Sequence, residues 1–367
     1  MGLKQKPLPP ASFRLLLYHS NLNAANSNRP MRPLYRNLFL LFGLVAIGVM
    51  LYSFGVDFND LHSHLRRAGL YLPAVVGIWV FVYACNAGAF QFIVNSGTHD
   101  KHLSFLHAYK LTVSGFAFSY TTPFGFGGAP YRIMELSHYI GTARSVSATA
   151  LYSMMHILSH FVLWMTGVAV FLVLYFDRMT TWLWILFAIF ALVFLVVLWF
   201  FWYGYRHGII VKLYSVLLHI PYVKRYARRF YNKNVEAMQQ VDQNIAYLHS
   251  QPRAFYGSLL LEYVGRVINS FEFFFILRSL AIPASFGDAL LVLAFSSLIG
   301  NMLFFFPMQL GAREGSLAVI VKLLGFGAPS IGIFTSFYTR VRELFWIFVG
   351  VTLVKFGNKR LMKDSEQ

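Results

Sequence analysis

Long apolar runs separated by short polar or basic stretches organise this chain. A helix rises ~1.5 Å per residue, so crossing the hydrocarbon core of a bilayer takes about 20 mostly apolar residues. Six runs meet that length: residues 37–56, 71–94, 148–176, 181–203, 254–277 and 329–356. Two further runs, 102–122 and 286–306, are as apolar, but each stops at a proline followed by a glycine-bearing polar stretch. The pattern predicts an all-α polytopic membrane protein with six full spans and two re-entrant or broken-helix hairpins.

Composition agrees. Of 367 residues, 57% are hydrophobic and only 12% are charged, half the charged share of about 25% in soluble domains. The formal net charge is nevertheless +17. This excludes an ordinary soluble enzyme, a disordered chain and a nucleic-acid binder built on a soluble fold. The single cysteine, Cys85, lies in an apolar run, which excludes an internal disulfide and a cysteine-rich metal site.

Lysine and arginine placement sets the expected orientation. Eighteen of the 31 basic residues fall in three segments: 1–36, 204–253 and the tail from Lys355. All three are expected on the cytoplasmic side of a bacterial inner membrane. The predicted organisation is a basic, disordered N-terminus (1–36), a first membrane half (37–203) with a hairpin at 102–143, and a basic segment (204–253). A second membrane half (254–357) follows with a hairpin at 286–325, then a tail (358–367). Met31 opens a stretch that reads like a natural start, so residues 1–30 are expected to add nothing to the fold. The 204–253 segment reads as two amphipathic helices whose basic faces suit anionic inner-leaflet lipids.

With those segments on one side, residues 95–144 must begin and end on the cytoplasmic face. Residues 286–324 must begin and end on the outer face. The two hairpins therefore insert from opposite sides, and they resemble each other. Each has Pro-x-x-x-Gly (Pro123 to Gly127, Pro307 to Gly311), then an arginine and a glutamate, then an apolar helix. Flanking landmarks repeat at an offset of about 181–184 residues, the signature of an inverted-topology repeat whose broken helices mark a midplane binding site.

Helix ends supply the candidate chemistry. Pro130 suits the first turn of a helix, since its missing N–H has no intrahelical partner to lose. Such a helix, starting inside the membrane, points unpaired N–H groups and its positive dipole end into a cavity. Gly127, Gly128 and Arg132, expected in the first turn, and their counterparts Gly311 and Arg313, compose a site for an anionic lipid headgroup. That headgroup is a phospholipid or a polyprenyl-phosphate lipid. "GFGFGG" is no Walker loop, because no Gly-Lys-Ser/Thr follows. No cofactor or nucleic-acid partner is expected.

The stretches "TPFGFGGAPYRIMEL", "PMQLGAREG" and "YTRVRELFW" resemble the membrane domain of the lysylphosphatidylglycerol synthase/flippase family, over roughly residues 33–357. The resemblance implies a multi-span domain that moves lipids, such as aminoacylated phosphatidylglycerol, between leaflets. Arg132, Gly311, Arg313, Glu314 and Arg340 fall on matching positions. Ala129 departs from the pattern, since relatives often carry an acid there, and Glu135 is a poor geometric substitute. Synthase members continue into a soluble aminoacyl-transferase domain after the last span, and this chain is expected to lack it.

Ionisable residues inside apolar segments are costly and face cavities or partners. Glu135, Glu262, Glu272, Glu314 and Glu343 are of this kind. Glu262 and Arg266 are four apart on one helix, and Arg340 and Glu343 three apart on another. They read either as pairs that lock the bundle or as charges that gate and neutralise a headgroup. Arg340, near the middle of its span, is expected to borrow a partner from a hairpin, and Arg342 to snorkel elsewhere. His156 and His160 share a helix face, but with no third ligand they read as hydrogen-bonded bundle histidines, with proton relay as the alternative. The leading reading is a lipid transporter. Its rivals are a membrane glycosyl- or acyltransferase acting on a lipid-linked substrate and a non-transporting partner in envelope assembly.

Overall fold

A computed structural model describes residues 69–96, 102–122, 127–207, 242–243, 251–302, 312–327 and 330–361. The first predicted span (37–56), the basic N-terminus, nearly all of the 204–253 segment, both Pro-Gly breaks and Gly311 lie outside the described residues. Within them the chain forms nine α-helices and no strand. These are α1 (Tyr71–Asn95), α2 (Phe105–Thr121), α3 (Gly128–Ile140), α4 (Thr142–Leu174) and α5 (Thr181–His207). They continue with α6 (Pro252–Ser279), α7 (Phe286–Met302), α8 (Ala312–Leu323) and α9 (Ser330–Leu361).

Local signals start these helices where the chain needs them. Ser104 caps α2 by accepting the His107 N–H, and Pro252 opens α6, where its missing N–H is harmless. Ser285 and Asp288 form a capping box at α7. The Asp288 N–H donates to Ser285 Oγ at 3.2 Å, and the Ser285 N–H donates to Asp288 Oδ2 at 2.8 Å. Between α3 and α4 a single residue turns the chain. Gly141 has φ +81°, a backbone conformation that side-chain-bearing residues rarely adopt, so α4 begins at Thr142, six residues before the predicted span.

Among the described residues, three helices are long and apolar enough to cross a membrane: Tyr71–Asn95, Thr142–Leu174 and, within α5, Thr181–Trp199. Helices α6 and α9 are as long but carry buried charges, which lower their mean hydropathy. None of the apolar window of α5 is buried. Trp182, Leu192 and Val196 all stand exposed, an apolar face that suits lipid and not water.

The helices pack as antiparallel pairs. Along α1 and α6, Trp79 meets Glu272, Cys85 and Asn86 meet Gly265, and Gly88 meets Leu261. Along α2 and α9, Ser114 Oγ donates to the Gly350 carbonyl at 3.1 Å and Tyr120 reaches Glu343. Along α4 and α7, Trp164 Nε1 donates to Ser297 Oγ at 2.9 Å, and the Tyr175 hydroxyl just beyond α4 donates to Asp288 at 2.6 Å. Glycines permit the closest approaches: a Cβ on Gly167 would lie 2.7 Å from that of Ala294, and one on Gly350 2.7 Å from that of Ala117. The short helices α3 and α8 lie against α4 and α9 respectively.

Candidate functional site

A cavity of about 490 Å³ opens between these helices, within the range of about 300–1,000 Å³ typical of small-molecule sites. Its walls come from α1, α2, α3, α4, α6, α7, α8 and α9. Arg132, Arg266, Arg313 and Arg342 line it, with Glu272, Glu343, His156 and His160. Uncharged polar groups, among them Asn86, Asn269 and Asn301, complete the wall. Such a concentration of ionisable groups within apolar helices needs internal matching, because lipid cannot solvate them.

Most of the charge is matched around Glu343 on α9. Its carboxylate accepts a short hydrogen bond from Arg313 of α8, one from the Tyr120 hydroxyl of α2 at 2.9 Å, and one from Arg340 at 3.2 Å. Arg342 approaches it at 3.7 Å. Arg340 and Arg342 each reach a second carboxylate. Arg340 lies 3.6 Å from Glu314 of α8, which also accepts a hydrogen bond from Ser336 at 2.6 Å. Arg342 Nε donates to Glu272 of α6 at 3.0 Å, and its guanidinium stacks 3.8 Å from the Trp79 ring centroid. Trp79 Nε1 donates to the same Glu272 at 2.7 Å, closing the network across α1, α6 and α9.

The other wall is matched less fully. Glu262 of α6, with 0% side-chain exposure, lies 2.8 Å from His156 Nδ1 of α4 and 3.8 Å from Arg266. Arg266 spends its other donors on Ser159 Oγ (2.7 Å) and the His156 carbonyl (2.8 Å). Arg132 of α3 has no ion pair or hydrogen bond among the described residues. It makes a cation–π stack 4.9 Å over Tyr152, and its buried Nε is unsatisfied. Gly115 of α2 makes room for it, since a Cβ there would lie 2.7 Å from Arg132 Nε.

Several expectations change. Arg132 is the fifth residue of its helix, in the second turn and not the first. Arg313 is also neutralised by Glu343, which sequence spacing could not show. Arg342 does not snorkel: it is 4% exposed and ion-paired, because Glu272 and Trp79 await it on neighbouring helices. Glu135 is buried on α3 towards Lys110 and does not line the cavity. Gly127 and Gly128 pack against α2, where a Cβ on Gly128 would meet the Gly115 carbonyl oxygen at 2.5 Å, so their smallness serves helix packing. Arg340 does borrow Glu314 from the second hairpin, and Glu262 does approach Arg266. Sequence reasoning left Glu272 without a role and did not find Trp79, Tyr120 or Tyr152. Their partners lie on other helices, and no local spacing signals them.

The sequence matches the family model described as the lysylphosphatidylglycerol synthase TM region over residues 40–350. No curated protein and no solved structure matches the chain.

Proposed function

The chain belongs to the lysylphosphatidylglycerol synthase TM-region family, a membrane family related to lipid handling, and on that premise we propose that it moves lipids between leaflets. The substrate in this reading is an anionic or aminoacylated phospholipid or a polyprenyl-phosphate lipid. The observation that carries it is Arg132: of five arginines in and beside the cavity, it alone has no carboxylate partner among the described residues. A half-buried guanidinium on a cavity wall, its buried Nε unsatisfied, is a receptor for a phosphodiester, which would supply the missing charge and acceptors. Matched arginines on the other wall hold the cavity in shape without competing strongly for that anion.

An alternating-access mechanism built on an inverted repeat accords with the packing. Helix α1 lies antiparallel to its counterpart α6. The contact of α2 with α9 has its counterpart in that of α7 with α4, and α3 against α4 in α8 against α9. Gly167 in α4 and Gly350 in α9 serve matching close approaches. In this reading the two halves rock about the α1–α6 pair, exposing the cavity to one leaflet and then the other. The N-terminus, residues 204–253 and the tail face the cytoplasm of a bacterial inner membrane.

Reconstitution into liposomes with head-labelled phosphatidylglycerol tests the function. Leaflet transfer should occur with the native chain and fall at least about tenfold in Arg132→Gln, the loss of one charge-assisted contact. Transfer that survives the substitution rejects the site. Orientation is tested in a Cys85→Ala background by labelling cysteines placed at the exposed Arg144 and Lys322. The two should react from opposite faces, and same-face labelling rejects the inverted repeat.

A further inference from the structure

The His156–Glu262 contact is a charged feature of the cavity that headgroup binding alone does not use. The His156 ring is 41% exposed and lines the cavity, while Glu262 behind it is fully buried. Two groups share Glu262 unequally. Arg266 is permanently charged but held off at 3.8 Å, whereas His156, 2.8 Å away, is titratable. The groups facing the pair are Tyr152 and His160 from α4, Arg132 from α3, Arg266 from α6 and the Cys85 thiol from α1. His160 Nδ1 is buried without a partner, and its ring lies 5.4 Å from that of His156. Arg132 and Arg266 line the same cavity, which offers both guanidiniums to an anion bound there. Engaging Arg266 leaves Glu262 to His156, and the anion adds negative charge beside an imidazole.

We propose that headgroup binding is coupled to uptake of one proton at the His156–Glu262 pair, making lipid movement proton-linked. This rests on the headgroup reading above. The proton comes from water in the cavity and adds to His156 Nε2. The imidazolium then donates through Nδ1–H to the Glu262 carboxylate, and the proton leaves when the anion leaves. No ATP-binding motif is recognisable in the sequence, and a pair of this kind would let a proton gradient bias the direction of movement. Linkage is reciprocal, so binding tightens as pH falls, by up to about tenfold per pH unit for one coupled proton.

The full chain in nanodiscs, labelled with ¹⁵N-histidine and titrated with dihexanoyl phosphatidylglycerol, tests this directly. His156 is assigned by the resonance lost in His156→Gln. The pH is set about one unit above the midpoint that this resonance shows without lipid. Conversion of His156 to imidazolium on lipid addition is expected, while calorimetry in buffers of different ionisation enthalpy reads proton uptake. Lipid binding with an unchanged His156 resonance overturns the coupling but leaves the headgroup site standing. Conversion of His160 alone overturns the assignment to this pair. Absence of lipid binding by calorimetry overturns the headgroup reading, and the coupling with it.

Discussion

The two walls of the cavity use the same residue types in opposite ways. Around Glu343, three arginines meet three carboxylates, and the gaps are closed by Tyr120, Trp79 and Ser336. On the other wall, Arg132 has an aromatic ring and no carboxylate among the described residues, and Glu262 is divided between His156 and Arg266. A buried ion network that satisfies itself has little left to offer a ligand; its value lies in fixing how helices meet. A buried cation that is not satisfied raises the energy of the empty protein, and a bound anion relieves it. In the proposed reading, the charges that lock the bundle and those that receive a substrate are thus separated by pairing, not by residue type.

The largest expected effect breaks the matched wall. Glu343→Gln removes the carboxylate that Arg313, Arg340 and Arg342 share, and loss of one partner from a buried pair costs about 3–5 kcal/mol. Thermal unfolding in detergent should show a large fall in midpoint, or the folded yield should collapse. A midpoint close to that of the native chain would show this wall to be no lock.

Arg132→Gln probes the other wall and should have the reverse profile. It strands no partner, so stability should change by less than about 1 kcal/mol, while affinity for anionic lipid drops by about 1.5–3 kcal/mol. Paired measurements of unfolding and lipid binding on this one variant sharpen the contrast. Unfolding as severe as that of Glu343→Gln would erase it.

Trp79→Phe returns to the matched wall with a milder change. The ring that stacks on Arg342 is kept, but the 2.7 Å hydrogen bond to Glu272 is lost, at about 1.5 kcal/mol. The cost should be seen in unfolding and not in lipid affinity. The smallest effect is expected for Gly115→Ala. The new methyl displaces the Arg132 guanidinium, whose end is free to shift, and affinity should change by less than about 1 kcal/mol with stability nearly unaltered. If Gly115→Ala instead destabilises the fold without touching affinity, the glycine serves helix packing and not the position of Arg132.

Much of the fold was legible because helices announce themselves locally. Predicted spans at 71–94, 148–176 and 181–203 correspond to α1, α4 and α5 with shifts of a few residues. The break before Gly127 reappears as a separate short helix, α3. Pairs within one helix were legible as well: Glu262 with Arg266, and Arg340 with Glu343, follow from the 3.6-residue period. The site was legible only in part. Arg132 was named from its place after a Pro-Gly break, but Arg313 was named for the same reason and proves to be spent on Glu343. Glu272 and Arg342 lie far apart in the chain and meet only because α6 and α9 bring them together beside Trp79 on α1.

The sequence by itself therefore determined where helices run, where they break and which charges lie inside apolar segments. These follow from periodicity, proline and glycine chemistry, and the hydrophobic effect, all of which act over a few residues. Tertiary structure alone decided which of those charges are matched. Pairing across helices depends on which turns face each other at a crossing, and helical period does not encode that. The same low polarity that makes an unmatched charge expensive makes that decision the one that separates Arg132 from Arg313.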